Sequence, residues 1–443
     1  MRHLKLALAV ALLLPAVLWL IAESAVFQAA TFMDLRRFMV QLTGVIAYGG
    51  MGFAMLLALR PRPLERWFNG LDKMYRLHKW LGIAALVFGI IHWLWAKGPK
   101  WAVGWGWLEK PVKGPRIPPD NPLEALFLNY RGFAESVGEW VFYAVVILIA
   151  LALIQRFPYR WFYKTHRFIA LVYLALTFHM VVLLKFSDWI LPLGWLMAVL
   201  AAGGAWTAVL SLLGRIGAGR KVRGEIRALR YFPGVRSLEI ETEAPGWPGH
   251  QPGQFVFATS SASEGAHPST IASGWNPQHP RLSFVVKELG DHTARLREKL
   301  RVGQAVTLEG PYGCFTFDDD RRQQIWIGGG IGITPFISRM QHLAGRQDGR
   351  TVNLFHTTAD VDEDAFARLK ADAQAANIEL HLLIDARDGR LTGERIRNLV
   401  PGWRDASIWF CGPAGFGEAL KRDFAAQGFP VAKDFHQELF NMR

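Results

Sequence analysis

Cysteine is almost missing from this chain of 443 residues: only Cys314 and Cys411 occur, both in its second half. Two thiols so placed supply no disulfide framework and no thiolate metal site. Acidic residues are outnumbered, 37 against 50 Lys and Arg, for a net charge of +13. That excess does not mark a nucleic-acid binder, because the basic residues cluster beside apolar spans, where they act as membrane-surface anchors. What the chain has in quantity is apolar sequence: 51% of residues are hydrophobic and 18 are Trp. It is therefore too apolar to be uniformly soluble. The apolar content is concentrated before about residue 214, and the remainder reads as globular sequence of two domains' length.

Six stretches have membrane length: about 4–22, 39–59, 79–96, 137–154, 166–184 and 189–213. The first follows Arg2 and Lys5 in the manner of a signal peptide, but its apolar run is long for one. Basic clusters follow the second, fourth and sixth stretches: Arg60, Arg62, Arg66, Lys73 and Arg76; Arg156, Arg160 and Lys164; Arg215, Arg220, Lys221 and Arg223. The positive-inside rule puts all three in the cytoplasm of an integral membrane protein, which requires an uncleaved first span and an inner N-terminus. Segment 97–136, with Trp101, Trp105, Trp107, Lys97, Lys100, Lys110, Lys113 and Arg116, is expected outside as a surface-lying cap.

Apart from His3, the apolar half contains four histidines: His78 and His92 on the third span, His166 and His179 on the fifth. An ionisable ring at membrane depth is costly and usually has a partner and a purpose. Separations of thirteen or fourteen residues correspond to roughly 20 Å of helix, most of a bilayer core. The two spans run in the same direction, so His78 pairs with His166 near the inner side and His92 with His179 near the outer side. Two stacked metal centres, each with two imidazoles, fit this pattern, and haem iron is the natural candidate. One difficulty is helical phase: at about 100° per residue, His179 lies about 140° around the helix from His166.

After Gly214 the sequence turns to short alternating strands. Residues 222–229, 236–243, 253–259, 281–289 and 305–310 read as a small antiparallel β-barrel over 219–318. From 322 to 443, strands at 323–329, 351–358, 378–385 and 407–413 alternate with helical segments, as in an α/β domain with a parallel sheet. The glycine-rich turn Gly328, Gly329, Gly330 and Gly332 leads through Thr334 and Pro335 into a helix, so its amides can hold a pyrophosphate. Cys411, Gly412 and Pro413 end another strand at the same sheet edge. In the barrel, His267, Pro268, Ser269 and Thr270 offer a hydroxyl to a flavin ring. Lys287 leads into a turn of Gly290, Asp291, His292 and Thr293, which offers amides and a hydroxyl to phosphate.

With these motifs in this order, the whole chain resembles the ferric reductase and NADPH oxidase superfamily, a six-span haem domain fused to a ferredoxin-reductase-like module. The resemblance implies that His78, His92, His166 and His179 ligate two b-type haems. It further implies that His267 to Thr270 contact FAD, with Gly290 to Thr293 beside its pyrophosphate. Gly329 to Thr334 and Cys411 to Pro413 would hold NADPH or NADH, and Thr270 and Cys411 would stand nearest the reacting rings. Two departures stand out. Ser269 replaces the family's usual aromatic, for which Phe435 and Phe440 are candidate substitutes. Ala96 replaces a further histidine found in superoxide-forming members.

The expected activity is electron transfer from cytosolic NAD(P)H through FAD and haem to an acceptor outside, a ferric chelate in first place. A superoxide-producing oxidase, an electron supply to a partner protein docked on 97–136, and a flavin reductase with structural histidines are the alternatives. Arg36, Arg37 and Arg167 are candidates for haem propionates or interfacial anchors. Thr357, Arg387 and Arg390 follow strands near where an adenosine ribose would lie; they read first as a solvated loop, and as the alternative an Arg there would recognise a 2′-phosphate and favour NADPH.

Overall fold

The computed structural model describes residues 2–109, 119–154, 156–261, 264–290, 292–344, 346 and 348–438. The chain divides into two compact units, one from Met1–Leu64 and Lys73–Ile216, the other from Glu65–Asp72 and Gly217–Met442.

The first unit is a helical bundle. Helices α1 (Arg2–Ala22) and α2 (Phe32–Ala58) are followed by a short α3 (Arg62–Phe68), most of which belongs to the second unit, then α4 (Leu71–Gly104), α5 (Pro122–Leu153), α6 (Tyr159–Leu183) and α7 (Pro192–Leu212). All but α3 are long and apolar enough to cross a membrane, where only a helix satisfies its own backbone within one segment. Local chemistry sets the starts. The Thr31 hydroxyl accepts from the Asp34 amide at 3.1 Å, Asn121 accepts from the Leu123 amide at 2.9 Å, and Pro122 and Pro192 fill first-turn positions that need no donor. Tyr173 is fully buried. Its hydroxyl donates to the Leu200 carbonyl at 2.7 Å, and a Cβ at Gly52 or Gly204 would meet that hydroxyl. Small residues here let α2, α6 and α7 approach closely.

The structure corrects the expected surface-lying cap. Helix α4 continues through Lys97, Lys100 and Trp101 to Gly104, and α5 starts at Pro122, so most described residues of 97–136 extend two spans. Trp101 packs edge-on against Trp93, 5.2 Å between ring centres, which favours prolonging α4. Lys110, Lys113 and Arg116 lie outside the described residues.

The second unit contains two sheets. Strands β1 (Lys221–Phe232), β2 (Ser237–Glu243), β3 (Phe255–Thr259), β4 (His267–Thr270), β5 (Arg281–Lys287) and β6 (Ala305–Tyr312) are ordered β4-β3-β6-β1-β2-β5. Pairing within this sheet is antiparallel, and an Ile271–Phe284 bridge joins its two edges. Alternate side chains, among them Ile226, Leu238, Leu282 and Leu308, fill the barrel core. One strand more than expected is present, because His267–Thr270 is itself a strand; its Pro268 hides it from a sequence reading.

After α8 (Leu296–Lys299) comes the parallel sheet: β7 (Gln323–Gly329), α9 (Thr334–Leu343), β8 (Thr351–Thr358), α10 (Glu363–Ala375), β9 (Glu379–Ile384), α11 (Asp385–Asp388), α12 (Gly393–Leu399), β10 (Ser407–Cys411), α13 (Ala414–Ala426) and β11 (Phe435–Gln437). Strand order is β11-β10-β7-β8-β9. Strands β7 and β10 are buried almost throughout, as central parallel strands are. The chain runs outward from β7 to β9, then returns to β10 on the other side. That places the topological switch point between β7 and β10. Strand β11, only three residues long, was not anticipated.

Candidate functional site

In the helical unit, His78 and His92 project from α4, and His166 and His179 from α6. The ring centres of His78 and His166 are 5.9 Å apart, and those of His92 and His179 are 6.3 Å apart. These are the cross-helix pairs expected from the sequence, and the helical phase difficulty does not keep the second pair apart. Two imidazoles on one iron, each with a metal–nitrogen bond of about 2 Å and a ring centre about 1.1 Å beyond, have centres about 6 Å apart.

Hydrogen bonding settles which nitrogen is available. His78 Nδ1 lies 2.9 Å from the Ala54 carbonyl, His92 Nδ1 2.8 Å from Val40, and His179 Nδ1 2.8 Å from Ala134. A carbonyl only accepts, so each Nδ1 carries the proton and Nε2 keeps the lone pair that a metal needs. His166 differs: its Nδ1 is buried without a hydrogen-bond partner, and its ring stacks on Phe162 at 5.1 Å.

Glycines make room for the outer rings. A Cβ at Gly44 would stand 3.1 Å from the His92 ring, and one at Gly138 would overlap the His179 ring. Both glycines lie four residues after the carbonyl that holds the same ring, so an outer histidine rests along one turn of α2 or of α5. Helix α4 is the least covered of the six spans, with 11% of its apolar window buried, which leaves apolar area for a flat prosthetic group as well as for lipid. Donor type, spacing, free nitrogen and room all fit haem iron.

The arginines considered for propionates are engaged elsewhere. Arg36 donates to the Ala96 carbonyl at 3.0 Å, Arg37 pairs with Asp34 at 3.6 Å, and Arg167 donates to the Leu212 carbonyl at 2.6 Å. These are helix-end contacts that serve anchoring.

In the barrel, β4 carries His267, Pro268, Ser269 and Thr270 beside β3, with Thr270 opposite Phe255. The two barrel motifs meet: His267 and His292 stack at 3.6 Å and 8° between ring planes. Glu264, which the sequence reading passed over, bonds both His292 and Lys299. Lys299 first, then His292, hold the Glu264 carboxyl down to about 2. Burial, reinforced by His292, pushes His267 down to about 4, so it is neutral at physiological pH. The Thr293 hydroxyl accepts from the amides of Leu289 and Gly290 at 2.9 and 3.1 Å. It shapes the turn rather than standing open to phosphate. Asp291 and Phe440 lie outside the described residues. Phe435, the other candidate for the missing aromatic, is buried in the core of the parallel sheet against Phe410, so it does not serve a flavin.

At the switch point, the two turns interlock. A Cβ at Gly332 would overlap the Cys411 carbonyl, one at Gly329 would stand 2.9 Å from Pro413 Cδ, and one at Gly412 3.1 Å from Gly329. Gly330 has φ +56° with nothing near its Cβ position, so one side of the turn is open for a ligand. Thr334 caps inward, donating to the Ile331 carbonyl at 2.8 Å, and Pro335 occupies the first turn of α9. Cys411 is fully buried, and burial raises its thiol far above the usual range. The structure therefore corrects its catalytic assignment: the thiol is a packing group in the core with Phe336 and Trp409.

A cavity of about 110 Å³ beside this edge is lined by Gly330, Ile331, His356 and Thr358 from the sheet side and by Ser283 and Lys287 from the barrel. Lys287 Nζ is 2.5 Å from Asp360 Oδ2, and this ammonium holds the Asp360 carboxyl below its usual range. His356 Nδ1 lies 3.1 Å from the Gly328 carbonyl, and burial pushes its pKa down to about 4.

Comparison with known proteins finds two kinds of similarity. Residues 43–177 match the family model described as ferric reductase like transmembrane component, a span with three of the four histidines. A flavohemoprotein of Bordetella pertussis is 26% identical over 216 residues, 45% of this chain and 46% of that protein. The 2-halobenzoate 1,2-dioxygenase electron transfer component of Burkholderia cepacia is 27% identical over 163 residues, 34% of this chain and 48% of that one. The glycine betaine monooxygenase reductase subunit of Chromohalobacter salexigens is 24% identical over 222 residues, 46% of this chain and 60% of that one. The chain thus spans about half the length of these curated relatives. Within its apolar half the chain is similar to the ferric reductase-like transmembrane component, and elsewhere to flavohemoproteins and to reductase components of oxygenases.

Proposed function

We propose that this protein carries electrons across a membrane from NAD(P)H to an acceptor on the far side, using FAD and two b-type haems. The observation that carries the reading is the pair of imidazole couples, 5.9 and 6.3 Å between ring centres, at two levels of one bundle. When bound, FAD accepts a hydride and gives up electrons singly while haem iron passes one at a time, linking a two-electron donor to a one-electron acceptor.

The chain's own contribution is positioning. The turn from Gly328 to Thr334 offers backbone donors to a pyrophosphate, and the Thr270 hydroxyl lies on the β4 edge for the flavin. His78 and His166 would hold the inner haem, His92 and His179 the outer one. The carbonyls of Ala54, Val40 and Ala134 fix the tautomer of three of these rings. Basic clusters after spans two, four and six favour a reductase module in the cytoplasm and a bacterial inner membrane location. Each haem would be held by two of these histidines, and with both imidazoles engaged the acceptor would be reduced without binding to the iron; we therefore propose ferric chelates as acceptors.

A visible spectrum of the purified protein, before and after anaerobic NADH or NADPH, tests this. Reduced haem bands should appear with nucleotide, and their absence from haem-replete preparations would overturn the reading. His92→Leu should halve haem content and abolish ferric chelate reduction while leaving nucleotide-dependent flavin reduction intact. Unchanged chelate reduction would reject the pathway.

A further inference from the structure

The sequence offered Arg387 and Arg390 either as a solvated loop or as recognition groups for a 2′-phosphate; the side-chain contacts point away from the second. We infer that this chain takes NADH in preference to NADPH, through an Asp385 carboxylate held in place by Thr357. The inference rests on the reading of this sheet edge as the dinucleotide site.

With the pyrophosphate at the Gly330 turn, the adenosine half extends across the carboxyl ends of β8 and β9, away from the switch point. Thr357 is the next-to-last residue of β8, and Asp385 is the first residue after β9. The Thr357 hydroxyl donates to Asp385 Oδ1 at 2.8 Å, which orients the carboxylate and leaves its second oxygen to accept from ribose hydroxyls. A 2′-phosphate at that place would bring a second negative group against a fixed one.

Two nearby cations already face carboxylates. Arg387 is bound to Asp388 by three hydrogen bonds of 2.9 to 3.2 Å. Asp388 is itself fixed, accepting from the Ile384 amide at 2.9 Å, while its carbonyl accepts from Arg395 at 2.6 Å. Lys287 is paired with Asp360. Arg390 is exposed, and so is the Arg387 side chain, so the two arginines of this loop are the rivals to test. A carboxylate that accepts from a ribose hydroxyl discriminates twice, by the bond it makes to NADH and by repulsion of the phosphate of NADPH.

The test is calorimetric titration of the full-length protein with ADP-ribose and with 2′-phospho-ADP-ribose, neither of which can deliver a hydride. Wild type should bind ADP-ribose roughly tenfold or more tightly, with the same order in kcat/KM for NADH and NADPH. Asp385→Asn should shrink that ratio by roughly tenfold, Thr357→Val should shrink it less, and Arg387→Ala and Arg390→Ala should each keep the order. Equal or tighter binding of the phosphorylated ligand by wild type overturns the inference, as does an Asp385→Asn ratio equal to wild type. If neither ligand binds, the dinucleotide site itself is wrong and the inference falls with it.

Discussion

Gly138 has no side chain to contribute, yet it decides where an imidazole can lie. The His179 ring occupies the space a Cβ would need, and its Nδ1 is held by the carbonyl one turn earlier. Gly138→Leu should therefore displace the ring, leaving one haem per chain in a pyridine haemochrome assay with flavin reduction by nucleotide unaffected. Two haems in that variant would mean the ring is held by something other than α5. The four histidines themselves were legible in the sequence because ionisable rings are so rare in apolar spans. Gly44, Gly138 and the three carbonyls were not: backbone acceptors leave no mark on a sequence. His356 supports a prediction about pH. Its pKa falls from the usual 6.5 to about 4 on folding, so the folded state binds fewer protons than the unfolded chain between those values. The corresponding stability is complete above pH 6.5 and is lost as pH falls toward 4, by about 3 kcal/mol at most. Melting of the reductase module, followed by flavin fluorescence from pH 7.5 to 4.5, should show this slope, and His356→Asn should flatten it.

At the level of elements, the interlocked turns after β7 and β10 are the most constrained part of the reductase module. Gly332→Val should push the Gly330 turn off the Cys411 carbonyl. NADH-dependent reduction should fall at least 100-fold, while dithionite still reduces the haems at the wild-type amplitude. Loss of dithionite-reducible haem as well would mean general misfolding. These turns were readable because glycine, threonine and proline in fixed order have few other uses at a strand–helix junction. The neighbouring strands were harder. His267–Thr270 contains a proline and has four residues, and β11 has three, so neither shows the alternation that identifies a strand. Helix ends misled for a different reason. Span prediction follows apolarity, but α4 and α5 continue past the bilayer-length stretch as helices with charged and aromatic faces. Their described extensions, to Gly104 and from Pro122, are held by caps and by aromatic packing that hydropathy does not register.

For the molecule as a whole, six candidate spans and three basic loops predict a sidedness. In a variant with Cys314 and Cys411 replaced, a single cysteine at Trp105 should react with a membrane-impermeant maleimide on intact cells, and one at Lys73 should react only after lysis. The opposite pattern would invert the direction of electron flow proposed here. The boundary between apolar and globular sequence was plain from composition alone. The pairing of α4 with α6 was legible from their histidines, but the close approach of α2, α6 and α7 was not, because it rests on glycines and one buried tyrosine two or more spans apart in the sequence.

The two imidazole couples have a consequence beyond chemistry. Each couple ties α4 to α6, so a metal group held between them would act as a crossbar at two heights of the bundle. Binding to the folded state alone raises stability with ligand supply, and ligation couples to assembly wherever the partners come from different segments. A cell short of haem would then carry less of this protein in the membrane, not merely an idle form of it. Abundance would follow the prosthetic group, and quality control would read helix pairing as a measure of cofactor loading.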